Sequence, residues 1–196
     1  MHILHYTLGF PPYRSGGLVK YANDLMQAQY ELGHKVVALY PGGTSLFSRS
    51  CHIKANGKHG NIHIYEIDNP LPVPLMYGLK DVNSIVDEKN IDTYSLKDLL
   101  DDIRPDVVHL HTLMGLPLQF IKIIKERGIK IVFTSHDYYG LCLKVNFIDE
   151  SGGVCDGGNP EKCEKCNYNA KSTLFLRLRN AKFIVPIKGI IRKMKK

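Results

Sequence analysis

Long apolar segments are absent from this chain of 196 residues. No uninterrupted apolar run reaches the roughly 20 residues that a membrane-spanning helix needs. Residues 1–8 also lack the basic start and the long apolar stretch of a secretory signal peptide, and they lead directly into a predicted strand. These absences predict a protein of the cytoplasm.

A disulfide framework is not expected either, because a reducing compartment keeps thiols free. Four of the five cysteines lie within residues 141–168, a segment rich in Gly, Asp, Asn and Lys that cannot pack a core. The last two are separated by two residues, which lets both thiolates bind one tetrahedral ion. A structural zinc site is therefore predicted, with the ligands Cys142, Cys155, Cys163 and Cys166. An iron–sulfur cluster uses similar ligands, and unliganded thiols are a third interpretation.

The dinucleotide-binding fingerprint G-x-G-x-x-G is missing, which argues against a dinucleotide site. With 44% hydrophobic and 23% charged residues, the chain has the composition of a globular protein with one sizeable core. Short apolar strands alternate with helical patterns along residues 1–140, and this order predicts a doubly wound parallel sheet of the α/β, Rossmann-like class. Residues 41–60 show little periodicity, and residues 68–78 hold three prolines and are expected to form an exposed loop.

Polar residues follow several of the predicted strands, where a parallel sheet places its ligands. The first group lies after strand one, where glycines allow close approach to a phosphate and the next helix begins: Tyr13, Arg14, Gly16 and Gly17. The second group lies at the ends of two later strands that should be neighbours: His109, His111, His136 and Asp137. Imidazoles there can hydrogen-bond sugar hydroxyls, although any single histidine is more often structural.

The motifs Phe10-Pro11-Pro12 with Gly16-Gly17, Pro105 to His111, and Phe133 to Asp137 occur in an order that resembles the retaining glycosyltransferases of family 4, or group 1. The resemblance covers residues 1–166 and implies the N-terminal half of a GT-B fold, which has two facing Rossmann-like domains. It implies that Gly16 and Gly17 lie near the diphosphate of a nucleotide-sugar donor and that His136 is catalytic. Tyr13, Arg14, His109, His111 and Asp137 are then expected to bind the acceptor.

In that family a second domain carries the donor-binding glutamates and the Arg/Lys pair for the diphosphate. The resemblance therefore implies that residues 1–196 stop before the donor domain and are inactive alone. Protein cations stabilise the leaving diphosphate in such enzymes, so no catalytic metal is expected. The implied substrates are a sugar nucleotide and a polysaccharide or lipid-linked acceptor. A Cys-rich insertion after the His-Asp strand occurs in a subset of the family.

The net charge of +7 is concentrated in the basic segment 169–196. A basic end can bind anionic lipid at the inner face of the membrane, or it can be a solvated tail. It lacks the interleaved aromatic residues of a platform for single-stranded nucleic acid, so no nucleic-acid partner is expected. Besides the transferase domain, a catalytically inert module that binds a glycan or a protein is the alternative function.

Overall fold

The computed structural model describes residues 1–45, 47–85 and 90–184. The strands are β1 (His2–Tyr6), β2 (Lys35–Pro41), β3 (His52–His59), β4 (Ile62–Asp68), β5 (Val107–Leu110) and β6 (Lys130–Phe133). The helices are α1 (Gly17–Glu31), α2 (Thr93–Ile103), α3 (Leu118–Glu126), α4 (Pro160–Cys166) and α5 (Thr173–Arg179). Two 3₁₀ turns span Leu75–Tyr77 and Val82–Ile85. None of the helices described is long and apolar enough to cross a membrane.

The strands form one six-stranded sheet in the order β3-β4-β2-β1-β5-β6, in which every pair is parallel except β3 with β4. This arrangement confirms the predicted α/β class. The strand order reverses direction at β1, which has β2 on one side and β5 on the other. In such sheets, ligands usually bind where the strand order reverses, in the crevice beyond the carboxyl ends of the adjacent strands, here β1 and β5.

Helices cover both faces of the sheet because its strands are apolar on both sides. On one face, α2 and α3 pack on Leu4, Tyr6 and Val108. On the opposite face, Ala22 and Met26 of α1 pack on Val36 and Ala38 of β2. Strand alternation places His5 on this α1 face, since its neighbour across the sheet is Ala38. The α1 face of the sheet therefore carries a polar side chain, that of His5.

One expectation about the irregular stretches was wrong, and the stretch of little periodicity contains a strand. Residues 41–60 contain β3, an antiparallel edge strand whose sequence is mostly polar and therefore shows no apolar alternation. Residues 68–78 do not form an exposed loop, because Asp68, Asn69 and Val73 are buried. Val73 packs against Met114 and Val145, so this proline-rich loop closes a small apolar cluster next to the sheet.

The start of the basic segment packs onto the domain. Thr44 forms a parallel bridge with Ala181, in which the Thr44 N–H donates to the Asn180 carbonyl at 2.9 Å. The Lys182 ammonium contacts the buried Asp68 carboxylate at 2.6 Å. Lys182 is therefore not part of a solvated tail. The remaining basic residues at positions 188–196, and with them the predicted membrane contact, lie outside the described residues.

Candidate functional site

A layer of histidines lies on the α1 face of the sheet. His5 of β1 and His109 of β5 are direct partners in the parallel ladder, so their side chains project to the same side. His111 follows β5 and is fixed by its backbone N–H, which donates to the Tyr6 carbonyl at 2.9 Å. His5 and His111 are almost fully buried, and His109 is only 9% exposed.

Hydrogen bonds join these imidazoles to the residues around them. His5 Nδ1 lies 2.9 Å from His111 Nε2, and His5 Nε2 lies 2.7 Å from Gln29 Oε1 of α1. His109 Nε2 lies 2.8 Å from the Thr134 hydroxyl. His111 Nδ1 lies 3.4 Å from His136 Nε2, the longest contact of the set. The layer therefore runs from α1 along one face of the sheet to the predicted catalytic histidine, His136.

Burial keeps these rings neutral. It lowers the pKa of His5 to about 4, an effect that the hydrogen bond with Gln29 partly opposes. Burial, followed by the charges that His109, His5 and His136 would carry, lowers the pKa of His111 to about 3. The pKa of His109 is lowered for the same reasons. Ring nitrogens of His5, His109 and His111 lie within 4.8 Å of one another, a spacing at which three imidazoles could hold one metal ion.

His136 lies at the outer end of this layer and is partly exposed. Its ring contacts Tyr21 of α1 edge-on, with the centroids 4.9 Å apart. Partial burial lowers the pKa of His136, and the neighbouring Asp137 carboxylate opposes that shift. Asp137 accepts a hydrogen bond from the Tyr139 N–H at 2.9 Å and so shapes the turn that follows β6. The imidazole is therefore neutral and reachable from solvent near pH 7.

Gly16 and Gly17 form the entrance to α1. Gly16 has φ +125°, a backbone conformation that residues with a side chain rarely adopt, which explains why this position is a glycine. No side chain caps the first turn of the helix, and the space in which a Cβ of Gly16 or Gly17 would lie is open. Tyr21 stands one turn further along α1, so the glycine entrance and His136 share one edge of the domain.

Tyr13 and Arg14 line a different place, a cavity of about 390 Å³ on the β2 side of the same edge. Its wall also includes Phe10, Tyr40 and Glu66 but neither the two glycines nor the histidine layer. An Arg14 N–H donates to Asn180 Oδ1 at 3.1 Å, and burial lowers the pKa of this guanidinium to about 10. The structure thus divides the predicted acceptor-binding residues into two groups.

The burial of His109 and His111 changes how these two histidines can act. Both side chains lie beneath Tyr21 and His136 and do not stand on the open edge that the sequence suggested. A role in acceptor binding stays a prediction for them, and His111 contacts the edge residues Tyr21 and His136. The sequence reasoning missed His5, Gln29 and Tyr21. His5 could have been predicted from the sequence, because a histidine inside an apolar strand lies on the same face of the sheet as the histidine at the matching position of a neighbouring strand.

The four predicted zinc ligands, Cys142, Cys155, Cys163 and Cys166, line a single cavity of about 250 Å³. All four are free thiols of intermediate exposure. Within the described ranges, no three cysteine sulfurs lie within 4.8 Å of one another. The four thiols are soft ligands of the kind that zinc prefers and include a pair with two-residue spacing, but their sulfurs would have to move closer together to share one ion.

The fold and the site define an α/β domain of Rossmann-like class, with a glycine entrance and a histidine at the edge where such sheets bind ligands. The family model described as Glycosyltransferase Family 4 matches residues 15–150. Because the match covers more than half of the chain, the protein belongs to this family. A search of curated proteins gave no match.

Proposed function

We propose that this chain is the acceptor-side, N-terminal domain of a retaining glycosyltransferase that uses a nucleotide sugar. The proposal rests on one observation, which is that the glycine entrance to α1 and His136 lie at the same edge of the domain. Backbone N–H groups at a helix start attract a diphosphate, and a neutral imidazole beside them can bind a sugar hydroxyl. Gly16 and Gly17 would then lie next to the donor diphosphate, and His136 next to the reacting sugar.

The acceptor in this proposal is a glycan, either a polysaccharide or one linked to a lipid. The cavity beside Tyr13 and Arg14 supports this choice, because its size is that of a ligand pocket and its wall combines three aromatic rings with charged groups. Aromatic faces stack on sugar rings, while Arg14 and Glu66 can hydrogen-bond hydroxyl groups. An inert binding module is not favoured, because the family is one of transferases.

A second domain completes the proposed enzyme. The family resemblance implies that the donor-binding glutamates and the cationic pair belong to a second domain, and the described residues form a single sheet. We expect the chain alone to hydrolyse no sugar nucleotide and to transfer no sugar. Joined to the donor-binding domain of another family member, it should release nucleoside diphosphate from a panel of sugar nucleotides when glycan acceptors are added.

The transfer experiment has a matched control in the donor-binding domain alone. Release of nucleoside diphosphate should require both domains and an acceptor. Robust turnover by the isolated chain would show that no donor domain is needed. If the joined protein transfers no sugar to any acceptor while both halves are folded, the proposed function is wrong.

We also propose that residues 141–168 hold one structural zinc ion. The ligands would be Cys142, Cys155, Cys163 and Cys166, which surround one cavity. Three lysines and three carboxylates also line the cavity, and Lys162 pairs with Asp156, so the proposal rests on the four thiols and not on the surrounding charge. The ion would supply the cross-link that a segment poor in apolar residues lacks.

Metal analysis tests this zinc proposal directly. The purified protein should contain one zinc ion per chain, and the Cys163→Ser variant should lose most of it. Removal of the metal with a chelator should make residues 141–168 sensitive to limited proteolysis while the sheet stays resistant. Cys51→Ser is the control, since this buried thiol lies outside the cavity and should leave the zinc content unchanged. A protein without bound metal, or with iron in its place, contradicts the proposal.

A further inference from the structure

A continuous row of hydrogen-bonded side chains connects Gln29, in the last turn of α1, to His136 at the edge. Its contacts measure 2.7 Å from Gln29 Oε1 to His5 Nε2, 2.9 Å from His5 Nδ1 to His111 Nε2, and 3.4 Å from His111 Nδ1 to His136 Nε2. The ring planes of His5 and His111 are nearly parallel, with an interplanar angle of 10°. Each imidazole in the middle therefore uses both of its nitrogens within the row.

The amide oxygen at the inner end determines the direction of every bond in the row. With the Gln29 amide oriented so that Oε1 faces His5, this oxygen accepts, and His5 carries its proton on Nε2. A neutral His5 then accepts at Nδ1, which requires the proton of His111 to be on Nε2. A neutral His111 accepts at Nδ1, which in turn requires the proton of His136 to be on Nε2.

The surroundings keep the row neutral and in place. The titratable groups that face it are His109 beside His5 and His111, Tyr21 beside His111 and His136, and Asp137 next to His136. His109 is itself held by the Thr134 hydroxyl, and its ring lies 4.1 Å from that of His111. The low pKa values of His5 and His111 exclude an imidazolium in the middle of the row at neutral pH.

We propose that Gln29 is a positioning residue, which acts through His5 and His111 to hold His136 in the tautomer with its proton on Nε2. His136 then presents the lone pair of Nδ1 to a ligand and accepts a hydrogen bond, for example from a sugar hydroxyl. The ligand assignment rests on the proposed glycosyltransferase function. The tautomer itself does not, because it follows from contacts within this chain.

The experiment measures the ring protonation of the histidines in the 196-residue protein by ¹⁵N NMR near pH 7.5, without any substrate. In the unchanged protein, His5, His111 and His136 should all show the Nε2–H tautomer. The Gln29→Lys variant replaces the acceptor by a donor-only group, so it should reverse the row. The ratio of Nε2–H to Nδ1–H in His136 should then fall by about tenfold or more, the equivalent of one hydrogen bond.

Gln27→Lys is the matched control. It adds the same charge to the same helix, but Gln27 binds Glu31 and takes no part in the row, so the tautomer of His136 should not change. Should Gln29→Lys fail to fold, Gln29→Leu removes the acceptor without adding a donor and should leave His136 as a mixture of both tautomers.

Three results would overturn the inference. The first is an unchanged protein in which His136 carries its proton on Nδ1. The second is a folded Gln29→Lys or Gln29→Leu variant whose His136 keeps the tautomer of the unchanged protein. The third is a stoichiometric metal ion bound by His5, His109 and His111, whose nitrogens are close enough for one. Failure of the sugar-transfer experiment would leave all three measurements unaffected, so the two proposals are tested separately.

Discussion

The His136→Ala variant is expected to transfer sugar about 100-fold to 1,000-fold more slowly than the unchanged protein, the usual effect of removing one group that contacts the reacting atoms. His136 is the outermost of the linked histidines and is partly exposed beside the glycine entrance to α1. Loss of the ring removes the polar group that would contact the transferring sugar. The rate constant kcat should fall, while the affinity for the nucleotide part of the donor should change little.

The measurement uses the chain joined to a donor-binding domain, with release of nucleoside diphosphate as the signal. His63→Ala is the matched control, because His63 is an exposed histidine of β4 remote from β5 and β6. It should transfer sugar at the unchanged rate. If His136→Ala is as active as His63→Ala, His136 does not contact the reacting sugar.

Acid is expected to destabilise the fold strongly through the buried histidines. His5 and His111 have pKa values of about 4 and 3 in the folded chain, against the ordinary value of 6.5 in the unfolded chain. Below pH 6.5 the unfolded chain therefore binds protons that the folded chain does not, so stability falls as the pH falls. Two such groups lower the free energy of unfolding by up to about 2.7 kcal/mol for each pH unit between pH 6.5 and pH 4.

Urea unfolding at pH 7, 5.5 and 4.5 measures this loss. The His5→Leu variant lacks one of the two groups, so its stability should depend on pH less steeply than that of the unchanged protein, by up to about 1.4 kcal/mol per pH unit. His63→Leu serves as the control and should keep the original slope, because that side chain lies on the exposed side of β4. Equal slopes for all three proteins would show that His5 is not buried in its neutral form.

Several parts of the fold were predictable because local patterns determine them. Helix α1 begins at its glycines and ends before Gly33, which has φ +82° and stops the helix as the sequence indicated. The apolar strands before and after α1 were therefore expected to pair in parallel through a right-handed crossover. Strand β3 was not predictable, because this edge strand buries only Ile53 and its other residues are exposed or partly exposed, which leaves no apolar alternation.

The site was only partly predictable for a similar reason. Histidines at 109, 111 and 136 were recognisable as polar residues at the ends of strands, a position that sequence alone reveals. Their burial and their link to Gln29 were not, since these depend on which helix covers that face of the sheet. The sequence likewise grouped Tyr13 and Arg14 with the histidines, whereas the structure places them in a separate cavity.

By itself, the sequence determined the class of the fold, the glycine entrance to α1 and the set of polar residues at the strand ends, because helix and strand periods and glycine conformations are local properties. Only the tertiary structure decided that His5 and His109 face each other across β1 and β5 and that Gln29 reaches His5 from α1. Such contacts join residues far apart in the chain, and their register depends on how the whole sheet packs.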